Sequence, residues 1–263
     1  MGGRVSGVGG LARAGRRSAV AGGRLTGLVL MCSISFVACG VVAPTAEAAT
    51  LTVGPAEPAH GTARTALDGL PVKGRAPKTG YSRDQFGPAW SDIDRDGCDQ
   101  RNQVMARDMT DETFKPGTRN CVVLTGRLDD PYTNTVIQFV RGEGTSDDVQ
   151  IDHVVALSDA WQKGAQQLDE ATRKQLANDP LNLLAVDGPT NIRKSDSDAA
   201  TWLPPNKAYR CRYVARQVAV KTRYRLWVTS AERDAIAKVL SQCPGEPVPE
   251  PEPVAPRDRG PGR

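Results

Sequence analysis

Apolar and polar positions divide the chain into stretches of different character. Residues 25 to 43, LTGLVLMCSISFVACGVVA, form an apolar run without a charge, preceded by Arg4, Arg13, Arg16, Arg17 and Arg24. Residues 50 to 78 are rich in Pro, Gly, Ala and Thr and hold no sustained period, and the tail PGEPVPEPEPVAPRDRGPGR alternates proline with glutamate and valine. Neither composition supplies the apolar area that must offset chain entropy, so both predict extended or disordered linkers. The stretch that can build a core runs from about Gly80 to Cys243.

Inside it the pattern changes period several times. RNQVMARDM (101 to 109) has helical spacing, whereas NCVVLTGRL and NTVIQFVRG are β-branched runs separated by Asp-Asp-Pro-Tyr, which predicts two strands and a turn. VQIDHVVAL (149 to 157) is strand-like along its length. Residues 158 to 178 predict a helical insertion that ends before Asp179-Pro180. LNLLAV predicts a short buried strand and Asp187-Gly188-Pro189 a turn. A helix is expected from about Asn206 to Trp227, and Thr229-x-x-Glu232 is a capping box opening a last helix to about Gln242. Strands in the first half and helices in the second make the class α+β.

Composition adds the compartment. The basic and then apolar N-terminus, followed by Ala46-Glu47-Ala48, predicts a secretory signal over residues 1–48. The alternative is a lipoprotein signal anchored through Cys39, and the apolar run is only about the minimum for a span, so no stable membrane span is expected in the mature chain. The expected organisation is then a linker over 49–79, a domain over 80–243 and a Pro-rich tail over 244–263, exported as a monomer. Export leaves Cys98, Cys121, Cys211 and Cys243, an even set in an oxidising compartment. None lies closer than 23 residues to another, so a zinc site built on C-x-x-C pairs is not supported. Sequence order favours Cys98 with Cys121 and Cys211 with Cys243, among three connectivities.

Candidate chemistry is sparse. Asp92, Asp94 and Asp96 before Gly97 match the opening of a calcium loop, but the closing position is Gln103 where a bidentate Glu belongs. A Ca2+ site there competes with a solvated turn leading into a helix, and the turn is preferred. A Ser-His-Asp hydrolase is disfavoured: there is no G-x-S-x-G elbow, and of the two histidines His60 falls in the linker. That leaves Asp152-His153. As an isolated pair it reads as a packed histidine beside an aspartate.

Residues further along the chain reverse that preference. DPLNLLAVDGPTNIRKSD places Asn182, Asn191 and Lys194 downstream of Asp152-His153. The arrangement resembles the HNH endonucleases and their ββα-metal fold. YSRDQFGPAW, GCDQRNQVMARDM, DPLNLLAVDGPTN and AATWLPPNKAYRC are similar to segments of secreted bacterial HNH-family proteins. The resemblance covers most of Gly80 to Cys243 and implies a ββα-metal core with additional strands and helices. It implies His153 as the general base, Asp152 and Asn191 as ligands of a divalent cation, Mg2+ or Mn2+, and Asn182 as the residue that pins the loop orienting His153. It also implies a nucleic-acid substrate, DNA first and RNA second, with Lys194 reaching a phosphate. The family often carries further histidines and a zinc staple; here a single histidine remains, and disulfides are expected in the staple's place.

Charge distribution agrees with an anionic partner more than the formal net charge of +4 does. Between Arg193 and Cys243 there are eleven basic residues and four acidic ones. In a helix, Arg212, Arg216 and Arg223 fall on one face, an expected nucleic-acid contact whose competitor is a solvated face. Tyr209, Tyr213, Tyr224 and Trp227 would stack bases or, the preferred expectation, pack in the core.

Overall fold

A computed structural model of the 263-residue chain describes residues 61–251. The expected signal, Cys39 and His60 lie outside the described residues. In chain order the elements are α1 (Ala63–Gly69), α2 (Gln100–Asp108), β1 (Thr110–Phe114), β2 (Val123–Asp129), β3 (Val136–Val140), β4 (Val149–His153), α3 (Leu157–Gln162), α4 (Glu170–Asn178), β5 (Leu183–Asp187), α5 (Gly188–Lys194), α6 (Arg210–Arg223) and α7 (Ser230–Leu240). Strands β1, β2 and β3 form one antiparallel sheet in that order, and β4 pairs antiparallel with β5 in a second. Helix α5 follows β5 directly and packs on both strands of the pair, completing a ββα unit within an α+β fold.

The β4–β5 pair is the centre of the domain because both its faces are covered. Val149, Ile151, Leu183 and Ala185 pack with Val104 and Met105 of α2 and with Val123, Leu128 and Phe139 of the three-stranded sheet. Leu184 and Val186 join Tyr213, Val214 and Val218 of α6. A strand buried on both faces reads as an unbroken apolar run, which is what LLAV is. A third cluster, with Phe86, Trp161, Leu176 and Leu226, packs α3 and α4 against the end of α6. Disulfides Cys98–Cys121 and Cys211–Cys243 close spans of 23 and 32 residues, each contributing on the order of 3 kcal/mol in the chain-entropy account.

The domain passes both borders expected of it. Residues 63–70 lie inside the expected linker, yet Ala63, Leu67 and Leu70 are buried against α6 and α7, and Thr62 caps α1 by accepting from the Thr65 N–H at 3.2 Å. Spacings of three and four residues give this short segment an apolar face that its overall composition conceals. At the other end, Ala63 N–H donates to Glu246 and Val248 N–H to Gly61, so the start of the Pro-rich tail is tied to α1.

Three smaller differences matter for the site. The Asp187-Gly188-Pro189 turn is the start of α5: Asp187 caps it, accepting from Thr190 N–H at 2.8 Å, and proline fits a first turn that needs no N–H. A Cβ at Gly188 would overlap the Asp147 carbonyl, so only glycine lets α5 begin this close to β4. Strand β4 ends at His153 rather than running on to Leu157, because Asn182 captures the Val155 N–H. The long helix expected to Trp227 stops at Arg223, and Tyr224, Leu226, Trp227 and Val228 turn back into the core.

Candidate active site

His153 ends β4 and Asp152 precedes it, so alternation pairs them with different neighbours, Leu183 and Leu184. At the strand's end both line one cleft of about 320 Å³, together with Asn191 and Ser195 from α5 and its C-terminus, Asp196, and Lys78, Tyr81 and Arg83 from the segment before α2. Three of the residues expected to act together are therefore neighbours here.

The imidazole is fixed on two sides. Its Nε2 lies 2.9 Å from the Ala177 carbonyl, which can only accept, so Nε2 carries the proton and Nδ1 holds the lone pair. Trp90 stacks on the ring at 5.9 Å with 15° between planes. Burial pulls the His153 pKa down to about 4; the Arg83 and Lys194 charges act in the same direction, while the Ala177 hydrogen bond and Asp152 oppose it. At neutral pH the ring is an uncharged acceptor.

Asn182 supplies the frame. It has no exposed surface; its Oδ1 accepts from Val155 N–H at 2.8 Å, and its Nδ2 reaches the Val155 and Leu176 carbonyls at 3.3 Å. Leu176 precedes the Ala177 whose carbonyl holds His153. One amide thus joins the end of β4 to the end of α4.

Asp152 is nearly inaccessible. Its Oδ1 accepts from Lys194 Nζ at 2.8 Å and its Oδ2 from the Tyr132 hydroxyl at 2.5 Å. Burial and the adjacent carboxylate push the Tyr132 phenol well above its ordinary pKa, so it stays protonated and donates. Asn191 is half-buried, and its Nδ2 donates to Gln150 Oε1 at 3.0 Å, while its Oδ1 is an acceptor.

Several expected substrate contacts are corrected. Lys194 has no exposed surface and is spent on Asp152 and on the His153 carbonyl at 2.9 Å, so it reaches no phosphate. Arg216 donates to the backbone carbonyls of Pro180, Leu181 and Leu183, and Arg223 pairs with Asp179 at 3.1 Å. Of the basic stripe only Arg212 is exposed, and with the half-buried Arg216 it lines a separate groove that also holds Tyr209 and Asp129. Tyr213, Tyr224 and Trp227 are core residues.

The calcium-like loop brings carboxylate oxygens of Asp92, Asp94 and Asp96 within 4.8 Å of one another. They also accept backbone N–H groups: Asp92 takes Asp96 and Gly97, and Asp96 takes Cys98. Burial raises the Asp92 pKa, but these hydrogen bonds outweigh it and leave it below the ordinary value. Gln103 closes the loop with an N–H donated to Asp94 at 2.9 Å, a donor where a cation would want a carboxylate.

Four neighbours of the site were not singled out by sequence: Trp90, Tyr132, Lys78 and Arg83. Trp90 and Arg83 sit in the YSRDQFGPAW segment and the buried Tyr132 in the DDPY turn, where Asp130 accepts from Thr133 N–H. Lys78 lay in the expected linker.

A family model described as GmrSD restriction endonucleases, C-terminal domain, matches residues 99–239, a span that holds Asp152, His153, Asn182 and Asn191. An uncharacterized secreted protein of the fungus Arthroderma benhamiae is 36% identical over 200 residues, covering 75% of this chain and 93% of that protein. No solved structure matches the chain.

Proposed function

The chain belongs to the family of the GmrSD restriction endonuclease C-terminal domain, a nuclease family, and on that premise we propose a secreted, metal-dependent HNH-type endonuclease that hydrolyses phosphodiester bonds in DNA and, secondarily, RNA. The observation that carries the proposal is the meeting of Asp152, His153 and Asn191 in one cleft with the His153 tautomer fixed.

Nδ1 of His153 would take the proton of the attacking water, with Nε2 anchored on Ala177 so that the ring cannot turn away. Trp90 holds the ring from its face and limits water on that side. The donor set fits a hard divalent cation, Mg2+ or Mn2+: a carboxylate offers about four lone-pair sites, of which two on Asp152 are taken, and Asn191 presents an amide oxygen. Such an ion, when bound, supplies neutralisation of charge growing on the phosphate and the leaving oxygen. Lys194 and Tyr132 keep Asp152 aimed. Export is supported by the secreted relative and by two disulfides.

A plasmid-nicking assay tests this directly. Wild type should nick with Mg2+ or Mn2+ and not with EDTA, and His153→Ala should lose on the order of 10²- to 10⁴-fold in rate. Equal cleavage by His153→Ala would sink the proposal. Metal-independent binding with no cleavage in any metal would point to a nucleic-acid-binding domain instead. Ca2+-dependent stabilisation lost in Asp94→Asn, with no nucleic acid bound, would favour a calcium-stabilised module.

A further inference from the structure

The wall of the cleft opposite α5 comes from residues 78 to 83, upstream of the span that the family model matches. This segment is laid firmly on the domain. Ala76 N–H donates to the Gln162 carbonyl at 2.8 Å, Trp161 Nε1 to Thr79 at 3.3 Å, and Tyr81 packs edge-on to Phe86 and Trp161. Its backbone is anchored, while its two cations are not buried. Lys78 and Arg83 are exposed at the rim.

Lys78 reaches across the cleft. Its Nζ lies 3.2 Å from Asp196 Oδ2, an oxygen that also accepts from the Ser158 hydroxyl at 3.0 Å, and 5.3 Å from the centre of the Tyr81 ring. Both partners of this ion pair are about half exposed, at 52% and 51% of their side chains. Pairs of that kind hold only about 0–1 kcal/mol and exchange readily for a better anion. Arg83 stands over the same space, near enough to His153 for its charge to be felt by the ring. A planar guanidinium and an ammonium on one wall suit two backbone phosphates.

We propose that Lys78 and Arg83 form the phosphate-binding wall of this cleft, with Lys78 exchanging Asp196 for a nucleic-acid phosphate as the backbone enters. The inference rests on the nuclease reading and names the residues that hold its substrate. It also assigns Asp196 a distinct part: in the free protein it holds Lys78 in place, and in the complex its charge opposes the phosphate.

The test is binding of a short fluorescein-labelled DNA duplex in EDTA, read by anisotropy across a salt series. The proteins are wild type, Lys78→Ala, Arg83→Ala, Asp196→Asn and, as an exposed residue outside the cleft, Arg225→Ala. Lys78→Ala and Arg83→Ala should each weaken binding roughly tenfold and lower the slope of log Kd against log salt by about 0.9. Asp196→Asn should tighten binding, and Arg225→Ala should match wild type. Melting temperatures confirm that each variant is folded. Wild-type slopes in both Lys78→Ala and Arg83→Ala would overturn the inference while leaving the nuclease reading intact. So would weaker binding by Asp196→Asn, the mark of a pair that only braces the wall. A wild type that neither binds nor cuts the duplex would overturn both.

Discussion

Among the described residues lysine is buried against carboxylate in two places, and the two do different work. In the core, Lys163 Nζ lies 2.7 Å from Asp159, 2.6 Å from Asp198 and 2.6 Å from Glu232, while Lys221 reaches Asp159 at 3.3 Å and Glu232 at 3.0 Å. Arg75 closes the set on Asp159 and Asp198, at 2.9 and 2.6 Å. Three cations meet three carboxylates, and they tie α3, α6, α7 and the loop after α5 together. Burial opposes these charges, yet the ion pairs hold Lys221 above and Asp159 below their ordinary pKa values. Beneath the cleft, by contrast, Lys194 alone meets Asp152, at 2.8 Å, and that carboxylate borders an opening. The same pairing fastens helices where charges are matched on all sides and orients a site where one side is left to a ligand.

The comparison is broken hardest by removing one lysine from each. Lys163→Met strands buried carboxylates and should cost about 3–5 kcal/mol, lowering Tm by roughly 6–20 °C. The folded fraction should cut at the wild-type rate. Lys194→Met should also destabilise, and in addition should slow cleavage at temperatures where it is fully folded. Coupling it to Asp152→Asn removes both charges, so Tm should recover toward wild type while cleavage does not. Cleavage restored in that double variant would show that the cleft pair, like the core one, only fastens the fold.

A pH series sharpens the contrast without mutating the core. Asp159 is lowered and Lys221 raised, so their contributions are fully present between the ordinary Asp and Lys values and fade only outside them. His153 behaves differently. Its folded pKa is depressed to about 4, so from 6.5 downward the unfolded chain binds a proton that the folded one refuses. Stability attached to His153 is therefore intact above 6.5 and declines as pH falls toward 4. In metal-free buffer the Tm slope between those values should shrink in His153→Gln and persist in the exposed control Arg225→Ala.

These two centres were unequally legible. The LNLLAV run and the Thr229 cap are local signals that the structure uses as the pattern suggests, whereas Asp187 was read as part of a turn and caps α5. Glu232 shows where local reading stops: Thr229 accepts its N–H, but its side chain turns into the core to meet Lys163 and Lys221 instead of completing the capping box. Lys163, Lys194 and Lys221 look like solvated helix residues because their partners lie up to 69 residues away. The basic stripe of α6 fails for the same reason. Arg216 and Arg223 do share a face, but that face meets the Asp179 to Leu183 turn, whose carbonyls and carboxylate absorb them. Asn182 and Asn191 were legible only through the resemblance, since an amide has no periodic signature.

The smallest expected effect joins the two regions. Arg75 belongs to the core network through Asp159 and Asp198, and it lies three residues before Lys78 on the segment that walls the cleft. Its side chain is about a third exposed, so solvent screens it and its loss should cost only about 1 kcal/mol, or roughly 2–4 °C in Tm. Without it the network keeps two lysines against three carboxylates, and the segment loses its charged anchor while the Ala76 and Thr79 hydrogen bonds remain. Arg75→Ala should therefore raise KM for DNA cleavage a few-fold, through a less well-placed Lys78, and leave kcat near wild type, because His153 and Asp152 are held from other elements. Arg75→Lys should restore Tm in part, since an ammonium can meet one carboxylate but not bridge two. A fall in kcat with KM unchanged would mean that the network reaches the reacting groups directly, and the division between a fastening centre and an orienting one would have to be given up.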